Sequence, residues 1–133
     1  MATVPLLTDA DLAPEAAAVF ADIRAKRGTD YVNNFWRALA HDPALLRRTW
    51  EQLQQVMAPG ALDLKTKEML YLAVSMAHGC DYCIHSHTAA ARGKGMTQPE
   101  LMELLAVVGM AAQTNRMVAG LGVPVDEVFR VGG

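Results

Sequence analysis

The two cysteines of this 133-residue chain lie three positions apart, as Cys80 and Cys83, in a segment that also contains His85 and His87. A cysteine attacks as its thiolate, and a helix N-terminus, a nearby histidine and a CxxC spacing each favour that form. The segment follows Gly79, a residue typical of the end of one helix. We therefore interpret both cysteines as candidate reactive thiols at the start of the next helix.

On a helix that begins near Cys80, residues three and four positions apart are neighbours, so Cys80 faces Cys83, and Cys83 faces His87. The helix dipole stabilises a thiolate in the first turn. Glu68 is set into the otherwise apolar helix before Gly79, and a buried carboxylate needs a partner. A tight turn at Gly79 would fold that helix back against the cysteines.

These residue types suit thiol-based peroxide reduction, which needs a nucleophilic thiolate, a base, and a second thiol to resolve the sulfenic acid. We predict that Glu68 accepts the proton by way of His87, and that Cys80 and Cys83 supply the two thiols.

The elements that must position these residues are predicted to be helices throughout, because strand-like alternation and two-residue glycine hairpin turns are missing. The expected fold is an all-α, single-domain bundle of about six to seven helices over residues 1–133. The predicted helices cover residues 11–26, 31–40, 43–57, 64–78, 80–92 and 97–117, with a short last helix after residue 124.

Composition and charge limit the classes of partner and compartment that we expect for this chain. Hydrophobic residues make up 52% of the chain, and residues 69–77 and 101–112 are apolar on more than one helix face, which predicts a homo-oligomer. A net charge of -2 offers no basic field for nucleic acid. The sequence contains no uninterrupted apolar run of about 18 residues, the length that a membrane span needs, so we expect none. The N-terminus resembles no signal peptide, so we expect a cytoplasmic protein.

The pattern of Glu68, Cys80, Cys83 and His87 in a helical chain resembles the alkylhydroperoxidase D-like branch of the carboxymuconolactone decarboxylase family. The resemblance covers residues 62–117. It implies that Glu68 is the proton-relay glutamate, Cys80 the resolving cysteine, Cys83 the peroxide-attacking cysteine and His87 the relay histidine. It further implies a homo-trimer or homo-hexamer that reduces hydroperoxides with a dithiol such as a lipoyl-bearing protein, without bound cofactor or metal.

The chain departs from alkylhydroperoxidase D at one position, where Tyr82 stands in place of a histidine between the cysteines. Tyr82 is a candidate supporting residue because its hydroxyl can donate a hydrogen bond. His85 is the other, although on an ideal helix it points away from the stripe of Cys83 and His87. Residues 34–43 also look like the N-terminal part of peroxidase-related members of the family.

Other interpretations of the same residues remain open. The decarboxylase branch of the family removes carbon dioxide from a lactone acid and does not require a CxxC pair. Cys80, Cys83 and His87 could instead bind zinc together with His78, His85 or Glu68. A non-catalytic module that senses oxidation through its dithiol is a third alternative.

Two further alternatives give these residues no catalytic role. The cysteines could be small buried hydrophobes without reactivity. Glu68 could lie on a solvated face, paired with Lys65 or Lys67. Thioredoxin-like exchange is disfavoured, because a helix rather than a strand leads into Cys80.

Overall fold

A computed structural model describes residues 1–130 of the chain, so the last three residues of the predicted domain lie outside the described part. Over this range the chain forms six α-helices, two single turns of 3-10 helix and no strand, which confirms the predicted all-α fold. The helices are α1 (Pro14–Arg27), α2 (Asn34–Leu39), α3 (Pro43–Met57), α4 (Leu64–His78), α5 (Asp81–Gly93) and α6 (Gln98–Leu121).

Three helix starts are fixed by capping side chains at the residue before the helix. The carboxylate of Asp42 accepts from the Leu45 amide at 3.0 Å, and that of Asp63 accepts from the Thr66 amide at 2.7 Å. Thr97 caps α6 in a reciprocal capping box with Glu100. Each side chain satisfies a backbone donor that the first turn of a helix leaves unpaired, so these starts are determined locally.

Two helix starts were predicted too early. Helix α1 begins at Pro14, because the residue before a proline is driven to extended backbone and Ala13 adopts a ψ of 154°. Helix α2 begins at Asn34 rather than at residue 31. There the buried Val32 lies outside regular secondary structure, and its carbonyl accepts a hydrogen bond from Arg37 at 3.1 Å.

The last part of the chain also differs from the prediction. Helix α6 runs without a break past Gly109 and ends at Leu121, beyond the predicted end at residue 117. The short helix expected after residue 124 is a single 3-10 turn, Glu127–Phe129.

The chain divides into two compact units, Met1–Ala58 and Pro59–Gly133. The single-domain organisation stays a prediction. The first unit packs α1 and α2 on α3 around Phe20, Trp36 and Trp50. The indoles of Trp36 and Trp50 meet edge to face at 5.4 Å, and the Trp50 indole N–H donates to Asp22 at 2.7 Å.

The second unit contains the cysteines and packs α5 and α6 against α4. Its small core consists of Leu72, Ala91 and Met96, with Ile84 and Leu104 among the partly buried residues around it. Lys65 on α4 pairs at 2.7 Å with Glu100, the residue that completes the cap of α6. Both apolar packing and this ion pair therefore attach α6 to α4.

The apolar faces of α4 and α6 are only partly covered within the single chain, and the predicted burial between subunits stays a prediction. Leu70 and Val74 of α4 are about half exposed, and no residue of α6 is buried. The reason is that α6 packs mainly on α4, which leaves most of its apolar surface uncovered.

Helix α6 is also long and apolar enough to cross a membrane, by length and composition alone. Helices that cover subunit contacts can show the same features, because they too carry apolar residues on several faces. The absence of a membrane span therefore stays a prediction.

The turn between α4 and α5 determines where the cysteines lie. Gly79 adopts left-handed backbone with a φ of 68°, and its amide donates to the Met76 carbonyl at 3.2 Å. The next amide, that of Cys80, donates to the Ser75 carbonyl at 3.0 Å. This pair of bonds is a Schellman motif, which satisfies the last carbonyls of α4 and reverses the chain.

We predict that Gly79→Ala lowers the free energy of unfolding by about 1–2 kcal/mol, because an L side chain is strained in the left-handed region. No atom lies within 4 Å of the added methyl group, so the cost is conformational rather than steric. Urea denaturation at one fixed protein concentration measures the change.

Gly93→Ala is the matched control, since Gly93 ends α5 without a positive φ and its added methyl group also meets open space. We expect this control to keep or slightly raise stability. Equal stability losses in the two variants would contradict the role of the left-handed turn.

Candidate active site

The centre of the candidate site is a hydrogen bond between α4 and α5. His87 Nδ1 lies 2.7 Å from Glu68 Oε2. The side chains are only 17% and 15% exposed, respectively, so water screens the contact weakly. The carboxylate therefore has the partner that its placement in an apolar helix requires.

The alternative placement of Glu68 on a solvated face is wrong. Its side chain is largely covered, and Lys65, one of the two proposed partners, pairs with Glu100 instead. The bond to Glu68 also fixes the role of the imidazole nitrogens, because Nδ1 faces the carboxylate and Nε2 remains for another partner.

Cys80 is the N-cap residue of α5, and its Sγ accepts a hydrogen bond from the Cys83 amide at 3.4 Å. Both cysteines are free and partly buried. Cys83 precedes His87 by four residues on α5, so the two side chains lie one turn apart on the same face. Both thiols thus lie at the first turn of α5, and His87, which is bonded to Glu68 of α4, lies one turn further along.

The electrostatics of Cys83 differ from the sequence expectation. Hydrogen bonding to Cys80, together with burial and the charge of Cys80, raises the pKa of Cys83 from 9.0 to about 11. Cys80, rather than Cys83, occupies the N-cap position of α5. The expectation that the helix N-terminus favours a thiolate therefore does not hold for Cys83 in the reduced protein.

Tyr71 is a site residue that the sequence analysis missed. Its ring stacks on the imidazole of His87, with ring centroids 3.7 Å apart and an angle of 24° between the planes. Burial, and then the charges of Cys83, Cys80 and Glu68, raise the pKa of the Tyr71 hydroxyl. The available signal was the spacing from Glu68, because residues three apart on a helix share a face.

The two predicted supporting residues, His85 and Tyr82, are both exposed. The His85 side chain is 83% exposed and lies 4.0 Å from the Asp81 carboxylate, so the structure does not bring it to Glu68 and His87. Tyr82 lies in the first turn of α5 and is 43% exposed.

The zinc alternative finds no support in residues 1–130. Within that range, no group of three or more histidine, cysteine, aspartate or glutamate side chains is arranged to hold a metal ion. His87 is instead bonded to Glu68, and Cys80 accepts from a backbone amide.

Comparison with known proteins relates this geometry to a family. Residues 43–126 match the model of the carboxymuconolactone decarboxylase family. The chain is 40% identical over 50 residues to "Uncharacterized protein 4 in cox locus" of Paracoccus denitrificans, covering 38% of this chain and 45% of that protein. It is 33% identical over 61 residues to the alkyl hydroperoxide reductase AhpD of Mycobacteroides abscessus, covering 46% and 34%. The chain thus spans less than half the length of these curated relatives.

A solved structure is similar over the whole length. The crystal structure of the alkylhydroperoxidase AhpD core from Rhodospirillum rubrum is 61% identical, with a TM-score of 0.95 and 99% coverage of both chains. The family match covers well over half of the present chain and includes Glu68, both cysteines and His87. The chain therefore belongs to the carboxymuconolactone decarboxylase family and has the fold of an AhpD core.

Proposed function

We propose that this protein is a thiol-dependent peroxidase that reduces hydroperoxides through Cys83 and Cys80. The observation that carries the proposal is the 2.7 Å hydrogen bond between Glu68 and His87, one helical turn from Cys83. A carboxylate bound to one imidazole nitrogen is a common way to make the other nitrogen an effective base. Similarity to an AhpD core at 61% identity supports the same chemistry.

The first step removes the proton from Cys83. The raised pKa of about 11 keeps this thiol protonated near neutral pH, so attack on a peroxide requires a base. In the proposal, His87 takes the proton and Glu68 stabilises the imidazolium that forms. The Cys83 sulfur then attacks the peroxide, the O–O bond breaks, and the departing alkoxide takes the proton from His87 and leaves as an alcohol.

The second step resolves the oxidised sulfur. Cys83 now carries a sulfenic acid. The Cys80 thiol gives up its proton and its sulfur attacks the Cys83 sulfur to form the disulfide, while the S–O bond breaks and the departing hydroxide takes up that proton and leaves as water. The position of Cys80 suits this role, because its sulfur lies beside the first turn of α5 and accepts from the Cys83 amide at 3.4 Å. The sum is oxidation of two thiols to one disulfide and reduction of one hydroperoxide to an alcohol and water.

A dithiol reductant, such as a lipoyl-bearing protein, then returns the disulfide to two thiols by exchange. We propose this partner because a vicinal dithiol can attack and then release itself as a cyclic disulfide. Tyr82 stays a candidate donor beside the cysteines, and we assign no step to His85.

We also propose that copies of the chain assemble, as a trimer or hexamer, in the cytoplasm. The support is the apolar surface of α6, where Met102, Val107 and Met110 are each more than half exposed. Contiguous apolar surface of this kind marks interaction sites in soluble proteins.

The proposal predicts the outcome of a steady-state assay with cumene hydroperoxide and dihydrolipoamide. Cys83→Ser and Cys80→Ser should abolish turnover, while Cys80→Ser should still form a sulfenic acid at Cys83. Glu68→Gln should slow turnover by about a hundredfold or more, the usual contribution of a general base.

Glu51→Gln is the matched control, because it removes an acid from the exposed surface of α3 and should leave turnover unchanged. Full activity of Cys83→Ser would contradict the proposal. If Glu51→Gln lost as much turnover as Glu68→Gln, the result would contradict a specific role of Glu68 in a proton relay.

The raised pKa of Cys83 gives a second prediction. Because Cys80 is the leading cause of the shift, Cys80→Ser should lower the pKa of Cys83 and increase its thiolate fraction at pH 8. Iodoacetamide should then modify Cys83 about tenfold faster than in the wild type, since the gain in thiolate outweighs its lower nucleophilicity. Peptide mass spectrometry measures the rate, and an unchanged or slower rate would contradict the assigned cause.

A further inference from the structure

Two residues of α4 contact the His87 imidazole from different directions. Glu68 bonds to its edge at Nδ1, and Tyr71 covers its face at 3.7 Å between ring centroids. Tyr71 follows Glu68 by three positions, so both side chains project toward α5 from adjacent turns of one helix. The imidazole is therefore held by two contacts of different geometry.

The two contacts restrict different motions. A hydrogen bond to one nitrogen tolerates a range of ring tilts, because its preferred geometry is broad and the χ2 torsion of histidine has broad wells. A nearly parallel aromatic ring, at 24° to the imidazole plane, opposes that rotation because tilting would open a gap or create a clash. The carboxylate thus selects the nitrogen, and the stacked ring fixes the plane.

Tyr71 is itself attached to a rigid part of α4. Its carbonyl accepts a hydrogen bond from the Ser75 hydroxyl at 2.8 Å, and Ser75 is only 5% exposed. Leu72, the next residue, is fully buried in the core of the second unit. The backbone of α4 at Tyr71 is therefore well fixed.

We propose that Tyr71 is a positioning residue, whose stacked ring holds His87 in the plane from which it exchanges a proton with Cys83. This inference rests on the proposed peroxidase function. The role belongs to the ring rather than to the hydroxyl, whose raised pKa keeps it protonated and prevents it from acting as a base near neutral pH.

The test compares Tyr71→Phe, which keeps the ring, with Tyr71→Leu and Tyr71→Met, which remove it. We expect Tyr71→Phe to retain kcat within about twofold, whereas both aliphatic variants lose about tenfold to a hundredfold through misplacement of the base. KM for the dithiol should change little. Tyr31→Leu is the control, because Tyr31 is an exposed tyrosine of the first unit, 66% accessible.

Carbon-proton NMR of the His87 ring supplies a readout that does not depend on activity, with the signal assigned from His87→Gln. The upfield ring-current shift expected from the stack should persist in Tyr71→Phe and disappear in folded Tyr71→Leu or Tyr71→Met. Circular dichroism identifies which variants are folded. One folded aliphatic variant is enough for the comparison with Tyr71→Phe.

Wild-type kcat in both aliphatic variants would overturn the inference, as would a Tyr71→Phe variant as slow as Tyr71→Leu. These outcomes differ from failure of the proposed function, in which the wild type consumes no peroxide or Cys83→Ser remains active. In that case the NMR shift still tests whether Tyr71 orients His87, and an unshifted His87 signal in the wild type would contradict it.

Discussion

The left-handed turn at Gly79 is the constraint on which the candidate site depends. It ends α4, reverses the chain through two hydrogen bonds, and delivers Cys80 to the N-cap of α5. Since α5 then packs back along α4, Glu68, ten residues before the end of α4, meets His87 on the second turn of α5. One backbone conformation therefore brings together a carboxylate, an imidazole and two thiols.

Within that hairpin, Cys83 is held protonated. Hydrogen bonding to Cys80, together with burial, raises the pKa of Cys83 to about 11. Glu68 and His87 are largely covered, and Tyr71 stacks on one face of His87. The arrangement explains why a reactive cysteine would need Glu68 and His87, because its local surroundings alone keep it protonated.

Much of the fold followed from local sequence signals. The caps at Asp42, Asp63 and Thr97 were predictable because each side chain accepts a hydrogen bond from the backbone amide three residues further on. The start of α2 was not, since burial of Val32 is a tertiary effect. In the site, Glu68 and His87 were found by residue type and spacing. Tyr71 was missed because stacking depends on the packing of two helices rather than on a motif.

The pH dependence of a single turnover tests the proton relay most directly. Reduced wild-type protein and Glu68→Gln each receive one equivalent of peroxide, and disulfide formation is followed by acid quench and mass spectrometry. If the relay operates, the wild type is about a hundredfold faster at pH 7, and the difference shrinks toward pH 10 as hydroxide replaces the base. Equal rates at pH 7, or a ratio that stays constant with pH, would contradict a proton relay through Glu68 and His87.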